Sequence, residues 1–313
     1  MTERDTIGIN DVIAAMNETP VSIPIIGITG GKGGVGKSTV AVNLAEAFVQ
    51  KGYKVSLVDA DVDAPDDHLL LNIPLKNSED VVITQPLFID DKCTRCRRCI
   101  TVCRVNALFQ PKNHIPVLIG DCNGCEACIL VCPSDAIARN KKLVGKTFMS
   151  KNKNLKLFTG ELIPGIEESS FVVNALKERV FKEAGESDII IIDTSPGAHC
   201  NVMNALKGSD HAYAVTEPTP LGAHDLERIL KLLSIMQIKA NIILNRSDLP
   251  GAREKIQSVA ENYNVEISGE IAMDDLLVRS YVKGIPVVRM YPGAKSSQAI
   301  IKLSQKIAAM HLS

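Results

Sequence analysis

Residues 23–39 read IPIIGITGGKGGVGKST, and they decide the fold. An apolar run from Ile23 to Ile28 meets a glycine-rich loop, Gly31-Lys-Gly-Gly-Val-Gly36-Lys37-Ser38, and Ser38 to Val49 then carries apolar residues at helical spacing. A strand, a loop of this pattern and a helix form a Walker A arrangement, the nucleotide loop of a P-loop NTPase. Glycines at 31, 33, 34 and 36 let successive backbone N–H groups curl around phosphate oxygens, and the following helix aims its positive end at them. Lys37 is expected to bridge the β- and γ-phosphates, and the Ser38 hydroxyl to hold Mg²⁺.

Outward from the loop, strands and helices alternate. Lys54 to Val58 reads as a strand ending at Asp59, and Ile189-Ile-Ile-Ile192 as a buried strand ending at Asp193, the expected Walker B carboxylate. Further strands are expected at Leu155 to Phe158, His211 to Val215, Ala240 to Leu244 and Val265 to Ile271. Helices are expected at Ser169 to Lys182, Leu221 to Met236, up to Val259, and Ser297 to Met310. Apolar strands alternating with amphipathic helices predict an α/β fold, a mostly parallel sheet covered by helices on both faces.

Between about Gln85 and Lys146 the pattern changes. Eight of the nine cysteines fall into two runs of identical spacing: Cys93, Cys96, Cys99, Cys103, and Cys122, Cys125, Cys128, Cys132. Three thiolates at offsets of three can wrap one iron-sulfur cube, while the fourth reaches the neighbouring cube. Two 4Fe-4S clusters are therefore expected, one on Cys93, Cys96, Cys99 and Cys132, the other on Cys122, Cys125, Cys128 and Cys103. Paired Cys-x-x-Cys can also bind zinc, but two four-cysteine runs with these offsets favour iron-sulfur ligation. The segments 1–84 and 147–313 are thus expected to form one P-loop domain, interrupted at 85–146 by a small bacterial-ferredoxin-like α+β insertion. Cys200, the remaining cysteine, is expected to be a buried apolar filler; a ligand site shared between two subunits is the alternative, but four thiolates would need two cysteines per subunit and only this one is spare.

Composition excludes several classes. With 313 residues, 45% hydrophobic content and a net charge of −1, the chain can build a large core and has no global attraction to polyanions. Aromatics at 4%, without tryptophan, give no base-stacking surface, so no nucleic-acid partner is expected. No stretch reads as a signal peptide or a membrane span, and clustered cysteines suit a reducing compartment, so a cytoplasmic location is expected. The stripe Ile300, Ile301, Leu303, Ile307 beside Lys302 and Lys306 is read as core, and membrane binding is not expected. Within Thr84 to Ser150, ten Lys and Arg stand against five Asp and Glu, with Arg95, Arg97, Arg98 and Arg104 in the first cysteine run. That face suits an acidic electron carrier, or it offsets the negative charge of thiolate-ligated clusters.

The loop Lys32-Gly-Gly-Val-Gly-Lys37-Ser38-Thr39, with its extra Lys32, resembles the deviant Walker A of the MinD/Mrp group of P-loop ATPases, which includes the nitrogenase iron protein. Val58-Asp59-Ala60-Asp61-Val62-Asp63 resembles that group's first switch and Asp193-Thr-Ser-Pro-Gly197 its second. Thr216-Glu217-Pro218-Thr219 and Asn245-Arg246 resemble later nucleotide-side motifs. The insertion is similar to a subfamily in which a two-cluster ferredoxin domain interrupts the ATPase. The resemblance implies ATP and Mg²⁺ held by Gly31, Lys32, Gly33, Gly34, Val35, Gly36, Lys37, Ser38 and Thr39, with Asp59 near the metal, Asn245 reading adenine and Arg246 beside it. It implies catalysis by Lys32, Lys37, Asp61 and Asp193. Asp61 positions the attacking water, and Lys32 crosses to the partner's phosphates in a nucleotide-dependent homodimer, or in a heterodimer with a paralogue. Asp66 stands where relatives often carry asparagine.

Three functions follow as expectations. ATP hydrolysis is coupled to electron transfer between a donor and an acceptor protein or a metallocofactor-assembly system; or the chain carries iron-sulfur or metal cofactors; or it is a MinD-like spatial or redox-sensing switch. Carriers of the Mrp type hold their cluster on a Cys-x-x-Cys in the C-terminal part, which this chain lacks, and that favours the first.

Overall fold

The computed structural model describes residues 23–312, so the first 22 residues of the expected 1–84 segment, and Ser313 of the 147–313 segment, lie outside the described residues. In chain order the elements are β1 (Ile25–Thr29), α1 (Lys37–Gln50), β2 (Val55–Ala60), α2 (Asp67–Leu70), β3 (Glu79–Phe88), α3 (Arg98–Val102), β4 (Leu108–Phe109), β5 (Val117–Leu118) and α4 (Ala127–Leu130). There follow β6 (Ile137–Asn152), β7 (Leu155–Leu162), α5 (Ser170–Glu183), β8 (Ile189–Thr194), α6 (Cys200–Leu206), β9 (His211–Thr216), α7 (Pro220–Ile235) and β10 (Lys239–Asn245). The chain closes with α8 (Arg253–Asn262), β11 (Ile267–Ile271), α9 (Asp275–Val282), α10 (Val287–Met290) and α11 (Lys295–His311).

Among the described residues, nine strands form one sheet in the order β11-β10-β9-β1-β8-β2-β7-β6-β3. The pairs from β11 through β7 are parallel. The isoleucine run of β8 shows why. Ile189 and Ile191 enter a core shared with α1, α10 and α11, while Ile190 and Ile192 enter a second core shared with α5. A strand buried on both faces needs apolar residues at every position, and each fully buried isoleucine contributes about 1.5–3 kcal/mol. Ile300, Leu303 and Ile307 of α11 are buried in the first core, as their spacing predicts. No helix among the described residues is long and apolar enough to cross a membrane.

The last two strands depart from the parallel pattern. β6 runs antiparallel to β7 from Asn152↔Leu155 to Gly145↔Leu162, then continues for eight more residues paired with β3 alone. The β3–β6 ladder reaches Phe88↔Ile137, so a two-stranded ribbon of roughly 25 Å leaves the sheet. β7 is parallel to β2, so the ribbon leaves from the end of the sheet where β2 terminates at Ala60. Strand pairing is thus continuous through positions 85 and 146, and residues 89–136 form the head at the ribbon's tip. Gly145 marks the root: a Cβ there would lie 2.4 Å from Val172 Cγ2 and 2.6 Å from the Glu161 carbonyl, so only glycine lets the ribbon pass this close to α5.

Candidate functional site

Two sites share this end of the molecule. Around the glycine loop, a cavity is lined by Gly33, Gly34, Gly36, Lys37, Ser38, Thr39, Asp61, Asp66 and Arg246, and closed by Leu277, Val278 and Tyr281 of α9. Gly36 adopts a left-handed conformation (φ 96°) just before α1, turning the loop into the helix. Lys37 is buried, and its ammonium donates 3.3 Å to the Lys32 carbonyl. Burial pushes its pKa down, against the pull of Asp193, Asp61 and Asp66.

Facing this lysine is a layer of carboxylates supplied by the ends of β2 and β8, which pair Asp59 with Asp193. Asp59 is fully buried and accepts backbone N–H groups from Asp61 at 3.3 Å and Asp67 at 3.1 Å. Oxygens of Asp59, Asp66 and Asp67 lie within 4.8 Å of one another. Both carboxyl oxygens of Asp67, and both of Asp193, are buried without a hydrogen-bond partner. Burial first, and then the neighbouring carboxylates, push Asp59 and Asp67 well above the ordinary carboxylate range. Burial raises Asp193 too, against Ser38 and Lys37. Asp61 is pushed up to about 6, by burial against Lys37, with Asp63 and Asp66 adding to the rise. Buried carboxylates so crowded ionise together only beside a cation, so this donor set, with the Ser38 hydroxyl, fits Mg²⁺.

Other expected residues take up positions around this layer. Asn245 donates its Nδ2 to the Val35 carbonyl at 2.8 Å, bracing the loop. Lys32 is folded away from the cavity onto Glu217, 2.6 Å distant. The sequence reading did not single out Asp67 or Tyr281. Asp67 could have been suspected from its place in the Asp-rich run after β2, whereas Tyr281 is brought in only by tertiary folding. Cys200 was expected to be buried, but it is exposed, because it opens α6, whose buried face is Val202, Ala205 and Leu206.

At the ribbon tip the two cysteine runs fold as a pseudo-repeat with an offset of 29 residues (122 − 93). Left-handed backbone recurs at equivalent positions: Arg95 and Gly124, Arg97 and Glu126, Asn106 and Asp135. Arg97 and Glu126 each start a short helix whose second residue, Cys99 or Cys128, is buried. One cavity is lined by Cys93, Cys96, Cys99 and Cys132, with Arg95, Arg97 and Arg98. The other is lined by Cys103, Cys122, Cys125 and Cys128, with Glu126. The fourth thiol of each run therefore joins the other run's pocket. Backbone N–H groups point at sulfur, from Gly124 to Cys122 at 3.5 Å and from Ala136 to Cys132 at 3.3 Å. Burial pushes the Cys128 thiol up to about 11, with Cys122 adding to the rise, and burial also raises Cys99. Such thiols become thiolates only beside bound metal, and two walls of four soft donors with N–H groups turned inward fit iron-sulfur cubes.

A family model described as the CobQ/CobB/MinD/ParA nucleotide binding domain matches residues 26–287. The protein MJ0579 of Methanocaldococcus jannaschii is 33% identical over 264 residues, 83% of this chain and 90% of its own length. An iron-sulfur cluster carrier protein of Pyrococcus furiosus is 24% identical over 296 residues, covering 90% of this chain and 84% of the carrier. Among solved structures, the septum site-determining protein MinD of Pyrococcus horikoshii, complexed with Mg-ADP, aligns with a TM-score of 0.58 at 22% identity. The alignment covers 92% of this chain and 97% of that one, a likeness of fold.

Proposed function

We propose that this chain, which belongs to the CobQ/CobB/MinD/ParA nucleotide-binding family of P-loop ATPases, couples ATP-dependent dimerisation to electron transfer through two 4Fe-4S clusters. The observation that carries this reading is the sorting of eight thiols into two interlocked sets of four, on a ribbon rooted one strand, β7, away from the nucleotide strand β2. Cys93, Cys96, Cys99 and Cys132 would hold one cluster, and Cys122, Cys125, Cys128 and Cys103 the other. Bound there, the clusters would supply one-electron chemistry. On this reading residues 85–146 act as a ferredoxin-like module within the ATPase.

The chain's own groups divide the remaining work. The loop N–H groups and Lys37 bind the phosphates, and Ser38 with Asp193 holds Mg²⁺ or its water. Asp61, ionised, orients the attacking water, while Lys32 reaches the partner's nucleotide. Arg97, Arg98 and Arg104 are exposed beside the first cysteine run and present a positive face to an acidic redox protein. The competing reading, a cluster carrier, draws support from the Pyrococcus furiosus relative. Interlocked ligand sets favour retention over release.

Anaerobic purification with iron and sulfide quantification, followed by EPR with and without MgATP, tests the proposal. About eight irons per chain and a spectrum that responds to MgATP are expected. Iron-free folded protein, or clusters lost to an apo-protein acceptor on ATP addition, would overturn it.

A further inference from the structure

The carboxylate of Glu217 is buried at the end of β9 and uses each oxygen for a different cation. Oε1 lies 2.6 Å from Lys32 Nζ, and Oε2 lies 2.7 Å from Arg246 Nη1. The two cations belong to separate regions: Lys32 comes from the glycine loop, while Arg246 follows β10 and lines the nucleotide cavity. Lys32 is absent from that cavity's walls. The segment carrying Glu217 cannot follow either cation. The Thr216 hydroxyl donates to the Gly222 carbonyl at 2.9 Å, Gly222 N–H donates to the Thr219 hydroxyl at 2.9 Å, and Ala252 N–H donates to the Pro218 carbonyl at 2.9 Å. A Cβ on Gly222 would stand 2.3 Å from the Glu217 carbonyl oxygen, so the turn is as tight as backbone allows. Although burial works against it, the hydrogen bonds from Lys32 and Arg246 hold the Glu217 carboxyl below its usual range.

We infer that Glu217 is a positioning residue, a latch that keeps Lys32 retracted in its own subunit until a partner's nucleotide competes for it. The inference rests on the proposed role of Lys32 in nucleotide-dependent dimerisation. Removing the only partner of a buried carboxylate would strand a charge, at a heavy cost. Arg246 removes that obstacle, because it stays on Oε2 when Lys32 leaves Oε1. The Thr219 hydroxyl, 3.5 Å from Oε1, can take up the vacated oxygen. The exchange is then one anion for another at Lys32, a carboxylate for a phosphate, with no uncompensated charge left behind. A second cation on the same carboxylate is what a reversible latch requires.

The test compares the full chain with its Glu217→Gln variant, first without nucleotide. Lysine acylation followed by peptide mass spectrometry reads the reactivity of Lys32 against exposed Lys302 in the same sample. In the wild type Lys32 should react much more slowly than Lys302. In E217Q its rate should rise on the order of tenfold, as expected for loss of a charge-assisted hydrogen bond. The MgATP concentration giving half-maximal dimer, read by light scattering, should fall in the variant. Equal reactivity of Lys32 and Lys302 in the wild type would overturn the latch even if E217Q did not fold. So would an unchanged Lys32 rate in a folded variant, or a dimerisation threshold that failed to fall. A chain that never dimerised with MgATP, yet showed the labelling response, would sink the dimer reading and leave the retracted Lys32 standing.

Discussion

The nucleotide end of the sheet and the cysteine head at the ribbon tip bury their reactive groups by different means. Asp59 and Asp193 stand one residue before the ends of strands sandwiched between helices, so their burial comes from a core that is complete without any ligand. The head has a small apolar centre, Cys99, Leu108, Cys128 and Ile137, in which two of the four residues are themselves candidate ligands. Its helices span four or five residues, and Val105, Phe109, Ile119 and Leu130 are exposed. On the proposed reading, a unit so small would gain much of its stability from clusters held by its thiols, whereas the body would not.

That contrast can be broken at either end. The largest effect is expected from Lys37→Ala, which should lower ATP hydrolysis on the order of 10²–10³-fold by removing a phosphate clamp, with iron content unchanged. Phosphate release and iron assays on one preparation check this. Iron lost along with hydrolysis would mean that the head depends on the nucleotide site to form.

Acidity should act on the body in two opposite directions. With Asp61 at about 6, its ionised fraction and the hydrolysis rate should rise about tenfold from pH 5 to pH 7, and Asp61→Asn should flatten that profile. Stability of the metal-free chain carries the reverse sign. A carboxyl held above its ordinary 3.8 binds its proton more tightly when folded, so its contribution is present at low pH and is lost as pH rises toward about 6. Thermal melts of wild type and D61N across that window measure this, and parallel curves would contradict the assignment.

On the head, Arg97→Gln with Arg98→Gln should weaken binding to an acidic redox protein several-fold at low salt and little at high salt. Titration at two ionic strengths separates this from a loss of folding, which salt would not mask. The smallest expected change is the most diagnostic of the interlock: Cys132→Ala should remove about half the iron, and the lost EPR signal should match that lost in Cys93→Ala rather than in Cys122→Ala. The opposite match would mean that each run holds its own cube.

Much of this organisation was legible in the chain. The glycine loop, the isoleucine strand and the helical stripe of α11 announce themselves locally, because each must satisfy a short-range period. The grouping of thiols by threes also follows local spacing. The ribbon did not announce itself. Ile137–Asn152, IARNKKLVGKTFMSKN, has too many lysines to alternate cleanly, and its partner β3 lies beyond the whole head, so only long-range pairing defines it. The same limit hid the Glu217 bridge, whose cations stand 185 and 29 residues away, and the exposed start of α6 at Cys200.

Because β6 is shared between the sheet and the ribbon, the head behaves as the end of a cantilever clamped at Gly145. A rotation of about five degrees at the clamp displaces the tip by about 2 Å over the ribbon's length of roughly 25 Å. A modest twist of the strand ends beneath the phosphates would thus be magnified at the far end, where the cysteine pockets lie.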